Sequence, residues 1–143
     1  MKLVYVAGPL FGPDDWAIRR NIHHAVSLGF AVAQLGCYPV IPHANTGAWF
    51  MGTMTSEFWY AGTLALLGRC DAGILVPGWE DSKGTRAEIE EAKRLGIPVF
   101  DRIEELKAWP VAQELLANCP TCSPQAKERA AARVEAMLKA KGD

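Results

Sequence analysis

The sequence lacks an excess of charge of either sign, and it contains no long apolar run. Its 143 residues include 15 lysines and arginines against 16 aspartates and glutamates, a formal net charge of −1. This balance does not attract a polyanion, so we expect no nucleic acid partner. No stretch reaches the roughly 20 apolar residues of a membrane span, and the apolar run at residues 3–13 is broken by glycine and proline. We therefore expect a cytoplasmic protein that does not bind membranes.

Cysteine is also scarce, with four residues at positions 37, 70, 119 and 122. Cys37 and Cys70 lie in apolar surroundings, where a reduced thiol packs as a small hydrophobic side chain. Cys119 and Cys122 have the spacing of half a zinc site, but no second CxxC or nearby histidine pair completes four ligands. We expect no metal unless two chains share one.

Short apolar runs alternate with longer amphipathic ones, which predicts an α/β fold. The predicted strands are KLVYVA (2–7), YPVIP (38–42), AGILVP (72–77) and IPVF (97–100). Near-continuous apolar strands of this length are typical of parallel sheets that are buried on both faces. The helical segments between them cover residues 14–36, 56–70 and 85–96. Right-handed crossovers then give a flavodoxin-like or Rossmann-like three-layer sandwich with a four- to five-stranded parallel sheet.

The length favours a single domain. We predict that residues 1–117 form the α/β unit and that residues 118–143 add a loop and a C-terminal helix to the same domain. Val134, Met137 and Leu138 give this helix one apolar stripe, which we expect to pack on its own domain or on a sister subunit.

Ligands of open parallel sheets bind beyond the carboxyl ends of the strands. The loops that follow the predicted strands should bring together Gly8, Pro9, His43, Asn45, Gly78, Trp79, Ser82, Gly84, Thr85 and Glu88. The phosphate motifs GxxxxGK[ST] and GxGxxG are both missing after the first strand. What remains is a hydroxyl-containing loop that leads into a helix N-terminus, which suits one phosphate or carboxylate.

Glu88 has two interpretations. The sequence TRAE fits a capping box with Thr85 as N-cap and Glu88 reaching back to its amide. Alternatively, Glu88 is a nucleophile at the mouth of the crevice, kept ionised by the helix dipole. Local spacing does not separate the two. A site role is open for His43, which ends the second strand beside Asn45. Asp71 is by default part of a helix-to-strand turn, and Tyr5, which alternates with Leu3 in the first strand, is by default a core residue.

Three segments together resemble the nucleoside 2-deoxyribosyltransferase-like superfamily: VYVAGP at 4–9, the loop around His43, and CDAGILVPGWEDSKGTRAEIEEAKRLGIPV at 70–99. The resemblance implies that Glu88 attacks the anomeric carbon of a nucleoside and holds the sugar as an ester until water or a second base takes it. It also implies that Tyr5 orients the nucleophile, and that neither cofactor nor metal is needed. Asp71 lies near an acidic position of the superfamily, one place before the strand.

Superfamily members that act on free nucleosides resemble DxGTxxE, whereas this chain has Ser82 six residues before Glu88. Related nucleotide N-hydrolases carry a serine there, which binds phosphate, so the resemblance favours a nucleotide substrate. The loop GPLFGPDD lacks the arginine of those hydrolases. Two alternatives stay open: a phosphoribohydrolase of the PGGxGTxxE type, and a noncatalytic nucleotide-binding module.

The segment GAWFMGTMTSEFWY, residues 47–60, is more apolar than a solvated loop should be. Superfamily members are usually dimers or larger. The resemblance therefore implies a homodimer or higher homo-oligomer, and we expect this segment, with the C-terminal helix, to form its interface.

Overall fold

In the described part of the chain, four short parallel strands form the central layer. The computed structural model describes residues 1–46, 53–118 and residue 128. The strands are β1 (Leu3–Ala7), β2 (Tyr38–Val40), β3 (Ala72–Leu75) and β4 (Val99–Phe100). They pair in parallel in the order β2-β1-β3-β4. This order, with β1 and β3 at the centre, confirms the predicted doubly wound parallel sheet.

Helices cover both faces of the sheet. They are α1 (Asp15–Gln34), α2 (Pro42–Thr46), α3 (Ser56–Leu67), α4 (Lys83–Arg94), α5 (Ile103–Ala108) and α6 (Pro110–Asn118), with a 3-10 turn at Trp79–Asp81. β1 alternates between two cores: Val4 and Val6 pack with α1, α5 and α6, whereas Tyr5 and Ala7 pack with α3 and α4. The three-layer prediction is therefore confirmed.

The ends of α1 follow from its sequence. Asp14 caps the N-terminus, where its carboxylate accepts the amide of Ala17 at 2.7 Å. Gly36, at φ 78°, reverses the chain into β2. Within the helix, Gly29 lets the backbone approach the segment after β2 closely, because a Cβ there would lie 2.4 Å from the side chain of Ile41.

Two parts of the chain differ from the prediction. The strand predicted for residues 38–42 ends at Val40, because Pro42 begins α2, and a proline at the first helical position has no amide to lose. Helices α5 and α6 were not predicted, since each is short and α6 also begins at a proline. In the described part of the chain, no helix combines the length and apolarity that a membrane crossing requires.

Candidate active site

A tyrosine and a glutamate from adjacent layers form a close pair. The Tyr5 hydroxyl, on the central strand β1, donates a hydrogen bond to Oε1 of Glu88, on α4, at 2.6 Å. Tyr5 is fully buried and Glu88 is partly buried. No other described residue hydrogen-bonds the Glu88 carboxylate, so Oε2 is left available to a ligand.

The surroundings change the acidity of both groups. Burial raises the pKa of Glu88 to about 7, and the hydrogen bond from Tyr5 opposes part of that rise. Burial, followed by the charge and the hydrogen bond of Glu88, raises the pKa of Tyr5 far above its usual range. The proton between the two therefore stays on Tyr5, and near neutral pH Glu88 is present in both its ionised and its neutral form.

The start of α4 tests one of the two interpretations of Glu88, the capping box. Ser82 is the N-cap: its Oγ accepts the amide of Thr85 at 3.2 Å and the hydroxyl of Thr85 at 2.9 Å. The helix begins at Lys83, so Glu88 is its sixth residue and lies in the second turn. The capping-box interpretation is therefore wrong. The expectation that the helix dipole keeps Glu88 ionised is also wrong, because Glu88 lies beyond the first turn and burial raises its pKa. Ser82 and Thr85 are both good N-cap residues, and the local sequence does not show which one is used.

A cavity of about 740 Å³ opens above this pair at the carboxyl end of the sheet. Its size is within the range of small-molecule sites. The structure brings eight of the predicted site residues to its wall: Gly8, Pro9, His43, Gly78, Ser82, Gly84, Thr85 and Glu88. Gly78, at φ 87°, adopts a left-handed backbone conformation that turns the chain from β3 towards α4.

Of the other four predicted residues, Tyr5 reaches the site through its hydrogen bond to Glu88, and three lie away from this wall. Asp71 is at the opposite, amino end of β3, where its carboxylate binds Lys2 Nζ at 2.6 Å and the amide of Leu3 at 2.8 Å. It precedes its strand, and loops before parallel strands lie away from the carboxyl edge. Trp79 packs on the core that contains Tyr5 and Ala7, and its Nε1 donates a hydrogen bond to Asp101 at 3.0 Å. Asn45 is exposed on α2 and borders a smaller cavity of about 370 Å³.

His43 presents one buried nitrogen without a partner. The side chain is only 6% exposed, and Nε2 lies 2.8 Å from the carbonyl oxygen of Gly8. A carbonyl only accepts, so Nε2 carries the proton and Nδ1 is left as an acceptor. Nδ1 has no hydrogen-bond partner within the described residues. Burial lowers the pKa of His43, which favours the neutral ring.

Helix α3 contributes a wall that the sequence analysis did not predict. Ser56, Trp59, Tyr60 and Thr63 follow a three- to four-residue spacing and face the cavity. Burial and the nearby charge of Glu88 raise the pKa of Tyr60. This spacing was visible in the sequence, but aromatic residues in such a pattern are usually core residues.

The comparisons with known proteins agree with this architecture. The family described as a domain of unknown function, DUF7768, matches residues 2–102. The chain belongs to the DUF7768 family. A sequence search of curated proteins found no match. Among solved structures, the DUF7768 chain is similar to a 2-deoxyribosyltransferase from the psychrotolerant bacterium Bacillus psychrosaccharolyticus, with a TM-score of 0.58 and 16% identity over 78% of this chain and 94% of that one.

The DUF7768 match contains all four strands and every cavity residue named above, whereas α5 and α6 lie beyond it. At 16% identity, the likeness to the deoxyribosyltransferase is a likeness of fold. In residues 1–46 and 53–118, no three histidine, cysteine, aspartate or glutamate side chains are grouped to hold a metal. Cys119 and Cys122 lie outside the described residues.

Proposed function

We propose that the chain cleaves the N-glycosidic bond of nucleosides, deoxynucleosides or their 5′-monophosphates, by hydrolysis or by transfer to a second base. The intermediate is a glycosyl ester on Glu88. The observation that carries this proposal is the 2.6 Å hydrogen bond from Tyr5 to Glu88 at the base of the cavity. It fixes one carboxylate oxygen and leaves the other free to attack.

The reaction has two displacements. In the first, a Glu88 oxygen bonds to the anomeric carbon, the bond from that carbon to the base nitrogen breaks, and the base leaves with the electron pair and takes a proton from solvent. In the second, water or another base attacks the same carbon, the ester bond breaks and its electrons return to Glu88. The attacking group loses its proton to solvent. Two displacements of this kind pass through oxocarbenium-like transition states and retain configuration.

The acidity of Glu88 suits this role. A pKa of about 7 marks a carboxylate that its surroundings hold poorly solvated, which makes the ionised form more reactive. Tyr5 keeps its own proton and can only donate, so it orients the carboxylate without competing as a nucleophile. Activity should rise with pH through about 7, because only ionised Glu88 attacks.

A 5′-phosphate fits at the N-terminus of α4. Lys83 and Gly84, the first two helical residues, line the cavity, and their amides have no acceptor within the helix. Ser82 Oγ accepts two hydrogen bonds from Thr85, which leaves its own proton available to a phosphate oxygen. We therefore favour 5′-monophosphates as substrates.

The other wall of the cavity suits the remainder of the substrate. His43 offers the acceptor Nδ1, which needs a donor, and both a sugar hydroxyl and a base N–H group can supply one. Gly8 and Pro9 lie between His43 and the α4 side, at the end of the central strand. The absence of a side chain on Gly8 matters there, because a Cβ would approach Val76 to 2.6 Å.

Base release from a panel of substrates tests the proposal. The protein is incubated with deoxyribo- and ribonucleosides and with their 5′-monophosphates, and free base is measured by chromatography. Release by the wild type and none by Glu88→Gln supports a glycosidase. Release from ribonucleotides alone indicates the phosphoribohydrolase alternative. Saturable binding without release indicates a nucleotide-binding module and contradicts the proposal.

A further inference from the structure

Helix α3 presents a second tyrosine to the cavity. Tyr60 is partly buried and lines the cavity wall together with Thr63 of the same helix. No described residue hydrogen-bonds the Tyr60 hydroxyl, so its proton is available to a ligand. Neither the attack by Glu88 nor the phosphate contacts proposed above use this hydroxyl.

The direction of α3 fixes the height of Tyr60 in the cavity. The helix begins at Ser56, which lines the cavity at the carboxyl edge of the sheet. Beyond its other end, the amide of Asp71 donates a hydrogen bond to the carbonyl oxygen of Leu3, at the amino edge. The helix therefore runs antiparallel to the strands, and its earlier residues lie nearer the mouth of the cavity.

Thr63 connects this helix to the catalytic pair. A side-chain hydrogen bond joins Thr63 to Tyr5, whose hydroxyl donates to Glu88. Thr63 Oγ also lies 2.9 Å from the carbonyl oxygen of Tyr60, one turn earlier in the helix. Three residues advance an α-helix by about 4.5 Å, and helical side chains lean towards the N-terminus. Tyr60 therefore lies above the Tyr5–Glu88 pair, on the side from which a substrate enters.

We infer that Tyr60 is the proton donor for the departing base. The inference rests on the proposed function. As Glu88 attacks the anomeric carbon, the bond from that carbon to the base nitrogen breaks and its electron pair stays with the base. The Tyr60 hydroxyl, in place of solvent, transfers its proton to the base and becomes a tyrosinate. In the second displacement the attacking water or second base loses one proton, which returns to Tyr60.

The charge of Glu88 couples this proton transfer to the attack. Burial, followed by the charges of Glu88 and Glu91, raises the pKa of Tyr60, so the hydroxyl keeps its proton before the reaction. When Glu88 becomes an ester, its negative charge is lost and no longer opposes the ionisation of Tyr60. Tyr60 therefore becomes more acidic in the step that needs its proton, and a weaker acid again when the ester breaks.

Three other parts of the cavity wall are less suited to this role. The start of α4 is assigned to the 5′-phosphate, which is attached on the other side of the sugar ring oxygen from the base. Nε2 of His43 already donates to Gly8, and Nδ1 is an acceptor. Glu57 has its pKa lowered by a hydrogen bond from its own amide and then by one from Thr55, so it holds no proton at neutral pH.

Tyr60→Phe tests the inference, because it removes the hydroxyl and keeps the ring. Base release is measured under single-turnover conditions for guanine and uracil 5′-monophosphates of both sugars, and for their 7-methylguanine and 5-fluorouracil counterparts. 7-Methylguanine leaves as a neutral molecule without a proton, and 5-fluorouracil leaves as a more stable anion than uracil. General acids contribute roughly 10²–10⁴-fold, so Tyr60→Phe should lose at least about a hundredfold with guanine and uracil. The loss should be less than about tenfold with 7-methylguanine and intermediate with 5-fluorouracil.

Tyr38→Phe is the matched control, at an exposed tyrosine of β2, and it should keep all of these rates. Equal losses of Tyr60→Phe for both members of each pair overturn the inference, because they show that Tyr60 acts by packing alone. Unchanged rates overturn it as well. In both cases the proposed function still stands. A wild type that releases no base from any of these compounds overturns the proposed function and the inference together.

The titration of Tyr60 gives a second test that does not depend on turnover. The chain has three tyrosines, and 3-fluorotyrosine labelling makes each visible by fluorine NMR while lowering the pH at which the phenols ionise. Tyr60→Phe identifies the Tyr60 signal. Glu88→Gln removes the same charge as the ester does, so it should move the Tyr60 titration to lower pH, whereas the exposed Glu90→Gln should not. A Tyr60 titration that is the same in the wild type and Glu88→Gln overturns the inference.

Discussion

Glu88→Gln should make the protein inactive and, at alkaline pH, more stable. Burial raises the pKa of Glu88 from 4.5 to about 7, which at 1.36 kcal/mol per pKa unit corresponds to about 3 kcal/mol. Because the pKa of Glu88 is higher in the folded protein than in the unfolded one, its protonation stabilises the fold. This stabilisation is complete below pH 4.5 and is lost as the pH rises through 7. Glutamine does not ionise in this pH range, so the variant does not lose stability in this way.

The assay is urea unfolding of the wild type and of Glu88→Gln between pH 5 and pH 8. The variant should gain up to about 3 kcal/mol over the wild type at pH 8, and this gain should shrink towards pH 5. Glu90→Gln is the matched control, because Glu90 is an exposed carboxylate on the same helix. A stability difference between the wild type and Glu88→Gln that does not change with pH would refute the reasoning, since it would mean that the Glu88 carboxylate is not held in a poorly solvating environment.

Three further predictions concern the neighbours of Glu88 and the assembly. Tyr5→Phe removes a hydrogen bond that lowers the pKa of Glu88, so the rise of kcat/KM with pH should move to higher pH. The maximum should fall roughly tenfold to a hundredfold, as expected for a charge-assisted bond of about 1.5–3 kcal/mol. Two charge-assisted hydrogen bonds to a phosphate should give the wild type a preference of about a hundredfold for 5′-monophosphates over nucleosides. Ser82→Asp keeps an N-cap at α4 but repels phosphate, so it should reverse this preference. An unchanged ratio would contradict the phosphate site. Light scattering at micromolar concentration should give a mass above that of the monomer, and a monomeric mass would contradict the predicted homo-oligomer.

The two central strands could be predicted because their sequence signal is unambiguous. The runs in β1 and β3 are continuously apolar, and they form the two central strands, which are buried on both faces. The edge strands were predicted longer than they are, because Pro42 starts a helix and only Val99 and Phe100 of the last run pair with a neighbour. Helices α5 and α6 could not be predicted, since six and nine residues are too few to show a clear periodicity.

The candidate site was predictable to the extent that it follows the ends of strands. Gly8, His43 and Ser82 lie on the cavity wall because parallel strands bring their carboxyl ends to one edge. The prediction that Asp71 belongs to the site was wrong, because Asp71 precedes β3 and lies at the opposite edge of the sheet. Whether Glu88 belongs to a capping box depends on which hydroxyl caps α4. The local sequence does not show this, because the path of the turn between Gly78 and α4 determines where the helix begins. The wall from α3 was missed because residues such as Tyr60 have the same spacing whether they face a cavity or a core.

The central claim is that Glu88 carries the sugar during the reaction. Rapid acid quenching of the protein with its best 2′-deoxyribosyl substrate, followed by peptide mass spectrometry, tests this claim directly. We predict that the peptide containing Glu88 gains the mass of the sugar, or of the sugar phosphate, during turnover, and that Glu88→Gln shows no such adduct and releases no base. Release of base by Glu88→Gln, or attachment of the sugar to a different residue, would contradict the claim.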